Sequence, residues 1–124
     1  MSGKDKILVD TNILIFLFEG RENAAKALMN KEIHFSFITE IELLGNLNVT
    51  TAQGRMITDM LSFHHKFGYT EEVGQTTIRI KRLKKIKVPD AIIAATAMVY
   101  DLPLLTSDKA FADIAGLNCI LFEI

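Results

Sequence analysis

Residues 6–19, KILVDTNILIFLFE, decide the fold. KILVD at 6–10 is apolar on both faces up to the aspartate, as a short strand buried in a parallel sheet must be. Residues 11–19 then read as helix, so Asp10 stands where a strand meets a helix. In an open parallel sheet such corners gather along one edge, and ligands bind there.

The rest of the chain repeats the pattern. After Gly20 a helix covers 22–31, and IHFSFI at 33–38 is a second strand. Thr39 starts a helix that runs to Leu47, with Gly45 near its end. Across 50–66 the apolar residues Met56, Ile57, Met60, Leu61 and Phe63 fall near helical period. FGYT at 67–70 reads as a turn or a short extended piece, and 71–86 as helix. Pro89 interrupts, and a helix apolar on nearly every side follows from 90 to 100, as expected of one buried against a sheet. LPLLTS at 102–107 is another strand, 108–115 a short helix, and NCILFEI the last strand. Strands alternating with helices predict a three-layer α/β fold, a short parallel sheet flanked by helices. The length suits a single domain over 1–124.

Composition narrows the function. Of the 124 residues, 49% are hydrophobic, which excludes a disordered chain, and the net charge of −1 gives no whole-molecule attraction for nucleic acid. Any such binding must rest on a local patch. The single cysteine, Cys119, lies in an apolar run and reads as a buried, inert thiol suited to a reducing cytoplasm. MSGKDKILVD reaches an acid before a signal-peptide core could form. The runs ILIFLF and AIIAATAMVY fall short of the ~20 residues of a membrane helix. A soluble, cytoplasmic protein with no membrane partner is the expectation.

Four acids occupy four such corners: Asp10 in ILVDTNILI, Glu42 in FSFITEIELLG, Asp90 in KVPDAIIAATA and Asp108 in LPLLTSDKAF. Each has a plain alternative role as a helix cap. Thr39 and Glu42 even fit the reciprocal pattern of a capping box. Taken singly, a cap is the better reading of each. Taken together they should point into one crevice, where four carboxylates repel unless a divalent cation neutralises them. Mg²⁺ takes oxygen ligands, keeps several waters and binds one or two carboxylates directly, so the remaining acids can hold its waters or a second ion. The chemistry suited to such a site is hydrolysis of a phosphodiester.

The motifs VDTNILI, SFITEIELLG, KVPDAIIAATA and LLTSDKAFADIAGL, spanning residues 9–117 in this order, resemble those of PIN-domain ribonucleases. They are most similar to the compact VapC-type toxins of prokaryotic toxin–antitoxin pairs. The resemblance implies a Mg²⁺- or Mn²⁺-dependent endoribonuclease in which Asp10, Glu42, Asp90 and Asp108 bind metal. It also implies that Asn12 and Thr106 orient carboxylates or water. A small antitoxin protein lying across the groove, and a homodimer, are further implications of the family.

Other acids and bases fit less well. Glu40, two residues from Glu42, lies roughly 200° around a helix from it and faces solvent or a partner. Asp113 would lie on a different helix face from Asp108. His64 and His65 diverge if helical, and His34 stands alone in a strand, so none reads as a ligand. The basic stretch RIKRLKKIK at 79–87 leads to Asp90. Its Arg79, Lys84, Lys85 and Lys87 either line a solvated face or contact RNA phosphates. No Gly-rich phosphate loop, Cys/His zinc spacing or nucleophile elbow is present. Two alternatives remain. One is a Mg²⁺-binding receiver-type signalling domain, which expects paired acids after the first strand and gives Glu42 no role. The other is a PIN scaffold that binds RNA without cutting it.

Overall fold

The computed structural model describes residues 4–123. β1 (Asp5–Val9) leads directly into α1 (Thr11–Phe18), α2 (Glu22–Leu28) follows, and β2 (Lys31–Ser36) passes without a linker into α3 (Phe37–Leu44). Next come α4 (Thr51–Ser62), β3 (His65–Phe67), α5 (Glu71–Leu83) and α6 (Val88–Val99). The chain closes with β4 (Leu104–Thr106), one 3-10 turn at Lys109–Phe111, and β5 (Cys119–Leu121). The five strands form a single sheet in the order β3-β2-β1-β4-β5, with every neighbouring pair parallel. The three-layer α/β expectation is met. No helix among the described residues is long and apolar enough to cross a membrane.

Alternation along β1 divides the core. Leu8 and its register partner Leu104 face α5 and α6, where Val73, Ile80, Ala91, Ile93, Ala94 and Ala95 are buried. Ile7 and Val9 face the opposite layer, against Ile13, Leu14, Leu28, Leu43, Ile57 and Leu61. Each fully buried Leu or Ile stabilises the fold by roughly 1.5–3 kcal/mol relative to exposure. Alanines at 91, 94, 95 and 97 let α6 lie close in its layer, and Thr96 satisfies its hydroxyl by donating to the Ile92 carbonyl at 2.7 Å. At the end of α1, Gly20 takes φ +79°, a left-handed conformation that costs other residues more.

Several boundaries differ from the sequence reading. β2 ends at Ser36, whose hydroxyl accepts from the Ile38 N–H and caps α3. Thr39 therefore sits inside the first turn, and the expected capping box of Thr39 and Glu42 does not form. Residues 65–67 form an edge strand, one residue into the stretch read as turn or extended. The expected helix over 108–115 is only the Lys109–Phe111 turn. Lys87 precedes α6, so Pro89 and Asp90 both lie in its first turn. His34 is not isolated. Its ring stacks between His65 and Phe67, with centroids 4.8 and 4.9 Å away, and its Nε2 lies 2.9 Å from Glu32.

β1 has β2 on one side and β4 on the other, so the chain direction across the sheet reverses at β1. A crevice opens beyond the carboxyl ends of strands at such a switch point. Asp10 and Thr106 follow or end the two strands that flank it.

Candidate active site

Asp10 is the deepest of the four acids, with only 5% of its surface exposed. Its Oδ1 accepts from the Thr11 N–H at 2.8 Å and so caps α1. Its Oδ2 accepts from the Thr106 hydroxyl, also at 2.8 Å, across the β1–β4 switch point. Burial pushes the Asp10 carboxyl up from its ordinary 3.8 to about 6. The two hydrogen bonds oppose that rise, while the charges of Asp90 and Glu42 add to it. Asp10 is thus both a cap and a member of a repelling cluster.

Thr106, fully buried, also accepts from the Asp108 backbone N–H at 3.0 Å. Asp108 in turn caps the 3-10 turn, its Oδ1 accepting from Ala110 N–H at 2.9 Å. One hydroxyl therefore sets the spacing of the first and last acids. Asp90, half-buried, has no capping role, and its carboxyl is raised by burial and by the charges of Asp108 and Glu42, with Lys87 opposing. Glu42 is exposed on α3, and its Oε1 accepts from the Thr11 hydroxyl at 2.7 Å. Thr11 Oγ1 lies 2.9 Å from Thr39 Oγ1. The four expected acids are thus near enough to act on one another's charge, and two of them cap while two do not.

None of the four forms an ion pair among the described residues. Nor do any three His, Cys, Asp or Glu side chains there converge into a ready-made ligand cage. An all-oxygen set, repelling and loosely spaced, fits a hard divalent cation that keeps much of its water shell. It does not fit a closed structural site of the zinc kind.

The remaining candidates are dispersed. Asn12 is exposed in the first turn of α1. Lys87 is exposed and close enough to Asp90 to oppose its upward shift, and Lys85 is exposed. Lys84 is committed to Asp113 at 2.7 Å, and its hydrogen bond and charge hold that carboxyl below its ordinary range. Arg79 and Lys84 line a cavity of about 370 Å³ with Met98 and Ile114, and no acid of the crevice reaches it. Glu40 pairs with Lys66 at 3.2 Å on the surface. Sequence reasoning missed the link from Thr11 to Glu42. Its only local signal was Thr39 three residues before Glu42, which the capping box explained just as well.

A PIN domain model matches residues 7–117. A chain of a toxin–antitoxin complex from Klebsiella pneumoniae is 33% identical and superposes with a TM-score of 0.81, covering 94% of this chain and 98% of that one. Chains of VapBC2 from Rickettsia felis bound to a promoter DNA fragment and of DNA-bound VapBC from Salmonella typhimurium share the fold. They are 18% and 21% identical, both with TM-scores of 0.81, covering 95% of this chain and 99% and 98% of theirs. No curated protein matches the sequence. With its switch-point acids and a match across nearly its whole length, the chain belongs to the PIN-domain family.

Proposed function

We propose that this chain is a Mg²⁺- or Mn²⁺-dependent endoribonuclease, the VapC-type toxin of a toxin–antitoxin pair. The observation that carries the reading is the state of Asp10. A carboxyl is buried at the switch point and pushed to about 6 with no cation paired to it, while two further carboxylates raise it. Capping alone gives no reason to gather Asp90 and Glu42 around it.

Asp10, Asp90, Asp108 and Glu42 would hold the metal. A bound divalent ion would supply an activated water and stabilise charge on the phosphoryl oxygens during in-line displacement. The chain's own part is placement. Thr106 ties Asp10 to the Asp108 backbone, Asn12 would orient water or a carboxylate from the first turn of α1, and no protein nucleophile is needed. Lys87, Lys85 and, further off, Lys84 and Arg79 would meet RNA phosphates, each contact adding salt-dependent affinity. The tie from Glu42 to the residue beside Asp10 favours this reading over a receiver domain, which has no use for that acid.

The complex containing the Klebsiella relative supports a small antitoxin as partner. We further take the chain to act as one domain over 1–124, as a homodimer, in the cytoplasm. The test is cleavage of structured RNA by purified, partner-free protein. We expect cleavage with Mg²⁺ or Mn²⁺ that EDTA abolishes and Asp10→Ala or Asp90→Ala removes. Unchanged cleavage in EDTA overturns the metal mechanism. RNA bound but left intact, with metal bound, makes the protein a non-cleaving scaffold.

A further inference from the structure

Glu42 is the acid with the most side-chain torsions and lies on the exposed surface of α3, yet the structure does not leave it loose. Thr11 Oγ1 donates to its Oε1 at 2.7 Å. In that bond the hydroxyl is the donor and the carboxyl oxygen the acceptor. Thr11 has one hydroxyl proton, and it is directed to Glu42. The 2.9 Å contact between the two threonine hydroxyls must then run from Thr39 to Thr11. Both side chains are buried, Thr39 completely and Thr11 to within 9% exposure.

Thr77 and Thr96, inside their helices, bond back to the Val73 and Ile92 carbonyls one turn earlier. Thr39 lies in the first turn of α3, where the residue four places before it belongs to β2. Thr39 instead reaches from α3 across to α1. Its proton occupies a lone pair of Thr11 and selects the rotor in which Thr11 points at Glu42. Threonine in a helix divides between two rotamers, and a buried partner is what chooses one.

We infer that Thr39 and Thr11 form a one-way hydroxyl relay that positions Glu42 at the metal site, with both threonines acting as positioning residues through that carboxylate. The inference rests on the metal-nuclease reading above. With Oε1 held from behind, Oε2 is the oxygen left for a cation or its water. The relay also links the α3 acid to the residue next to Asp10 before any ion arrives. Removing such support around a metal-binding carboxylate typically weakens metal affinity by about 10–100-fold.

Two measurements test it. Mn²⁺ affinity, read by calorimetry, should fall about tenfold in Thr11→Val. It should fall less in Thr39→Val and be restored in Thr11→Ser. In a Glu42→Ala background, neither valine should cause further loss. An equal loss in that background would show that the threonines act on the fold rather than through Glu42. No loss in a folded Thr11→Val, judged by circular dichroism, would show that Glu42 is placed without them. The second measurement is side-chain ¹³C relaxation of Glu42 in EDTA, which should be ordered in the parent and in Thr11→Ser and mobile in Thr11→Val. A Glu42 mobile in all three overturns the relay even if Mn²⁺ binds. A parent with ordered Glu42 and no Mn²⁺ affinity sinks the metalloenzyme reading instead, and with it the purpose assigned to the relay.

Discussion

The two ends of the same sheet treat acidic residues in opposite ways. Where the strands begin, Asp5 lies 3.4 Å from Lys31, and Glu32 lies near Lys6, His65 and, at 2.9 Å, His34. The His34 hydrogen bond and the flanking cations hold the Glu32 carboxyl below its ordinary range. Where the strands end, Asp10 and Asp90 are pushed up, and no ion pair relieves them among the described residues. One chain built both ends from the same residue types. Paired acids stabilise a fold, whereas gathered and unpaired acids reduce stability and persist where a ligand is to be held. Under the proposed function, the contrast sets apart the strand ends beside Asp10 as the working end of the molecule.

The largest expected break in that contrast comes from Asp10→Asn. In the folded, metal-free chain Asp10 titrates near 6 against an ordinary 3.8. The native state therefore holds the extra proton between those values, and the parent loses stability as pH rises through that window. In EDTA the variant should exceed the parent by about 3 kcal/mol at pH 7, with the difference vanishing below pH ~4. Mn²⁺ at a thousandfold excess over the dissociation constant should reverse the order, since it stabilises the folded parent by about 4.1 kcal/mol. Urea titrations across pH, with and without Mn²⁺, measure both. A difference independent of pH would mean that Asp10 carries no such strain.

Asp90→Asn should follow Asp10→Asn in sign but fall short of it, because Asp90 is only half-buried. Glu32→Gln should go the other way. Its lowered carboxyl contributes stability above the ordinary 4.5 that is lost as pH falls. Its Gln variant should melt below the parent at pH 7 and rejoin it in acid. Melting shifts of the same sign for both substitutions would erase the distinction between the two ends.

Charge removal along 79–87 sharpens the picture on the ligand side. Lys87→Gln should weaken RNA binding and reduce the logarithmic salt slope by about 0.7, one phosphate contact to a single strand. Lys84→Gln should do less, since Lys84 is engaged with Asp113. Fluorescence anisotropy at several salt concentrations separates them, and identical slopes would return the whole stretch to a solvated face. The smallest effect belongs to the surface pair of Lys66 and Glu40. Lys66→Ala should cost no more than about 1 kcal/mol in a urea titration and leave RNA cleavage unchanged.

Much of this was legible from residues alone, for reasons that differ by place. The corner at Asp10 was readable because β1 is apolar on both faces and stops at an acid. The corner at β2 was misplaced by two residues because Phe37 and Ile38 extend the apolar alternation past Ser36, so hydrophobicity gives no boundary. Ser36, as good a cap as Thr39, went unused. β3 has three half-exposed residues and no periodicity, and it is a strand only because His34, Phe35 and Ser36 pair with it. The segment after Asp108, expected as a helix over 108–115, instead buries Phe111 from a short turn and Ile114 from the loop after it. Tertiary contacts decide such segments. The hydroxyl link from Thr39 through Thr11 to Glu42 crosses 28 and 31 residues, a distance at which local pattern is silent.

The bond from Thr106 to Asp10 spans 96 residues of chain, and β1, which Asp10 follows, lies at the centre of the sheet. At a synthesis rate of about 5–20 residues per second, the ribosome needs on the order of 5–20 s to make the distance between them. Throughout that interval β1 has no β4 beside it, and the crevice lacks Asp108. A growing chain therefore cannot assemble the site until Thr106 and Asp108 have been made. Whatever chemistry the crevice carries is thus withheld during synthesis by the order in which the sheet is threaded.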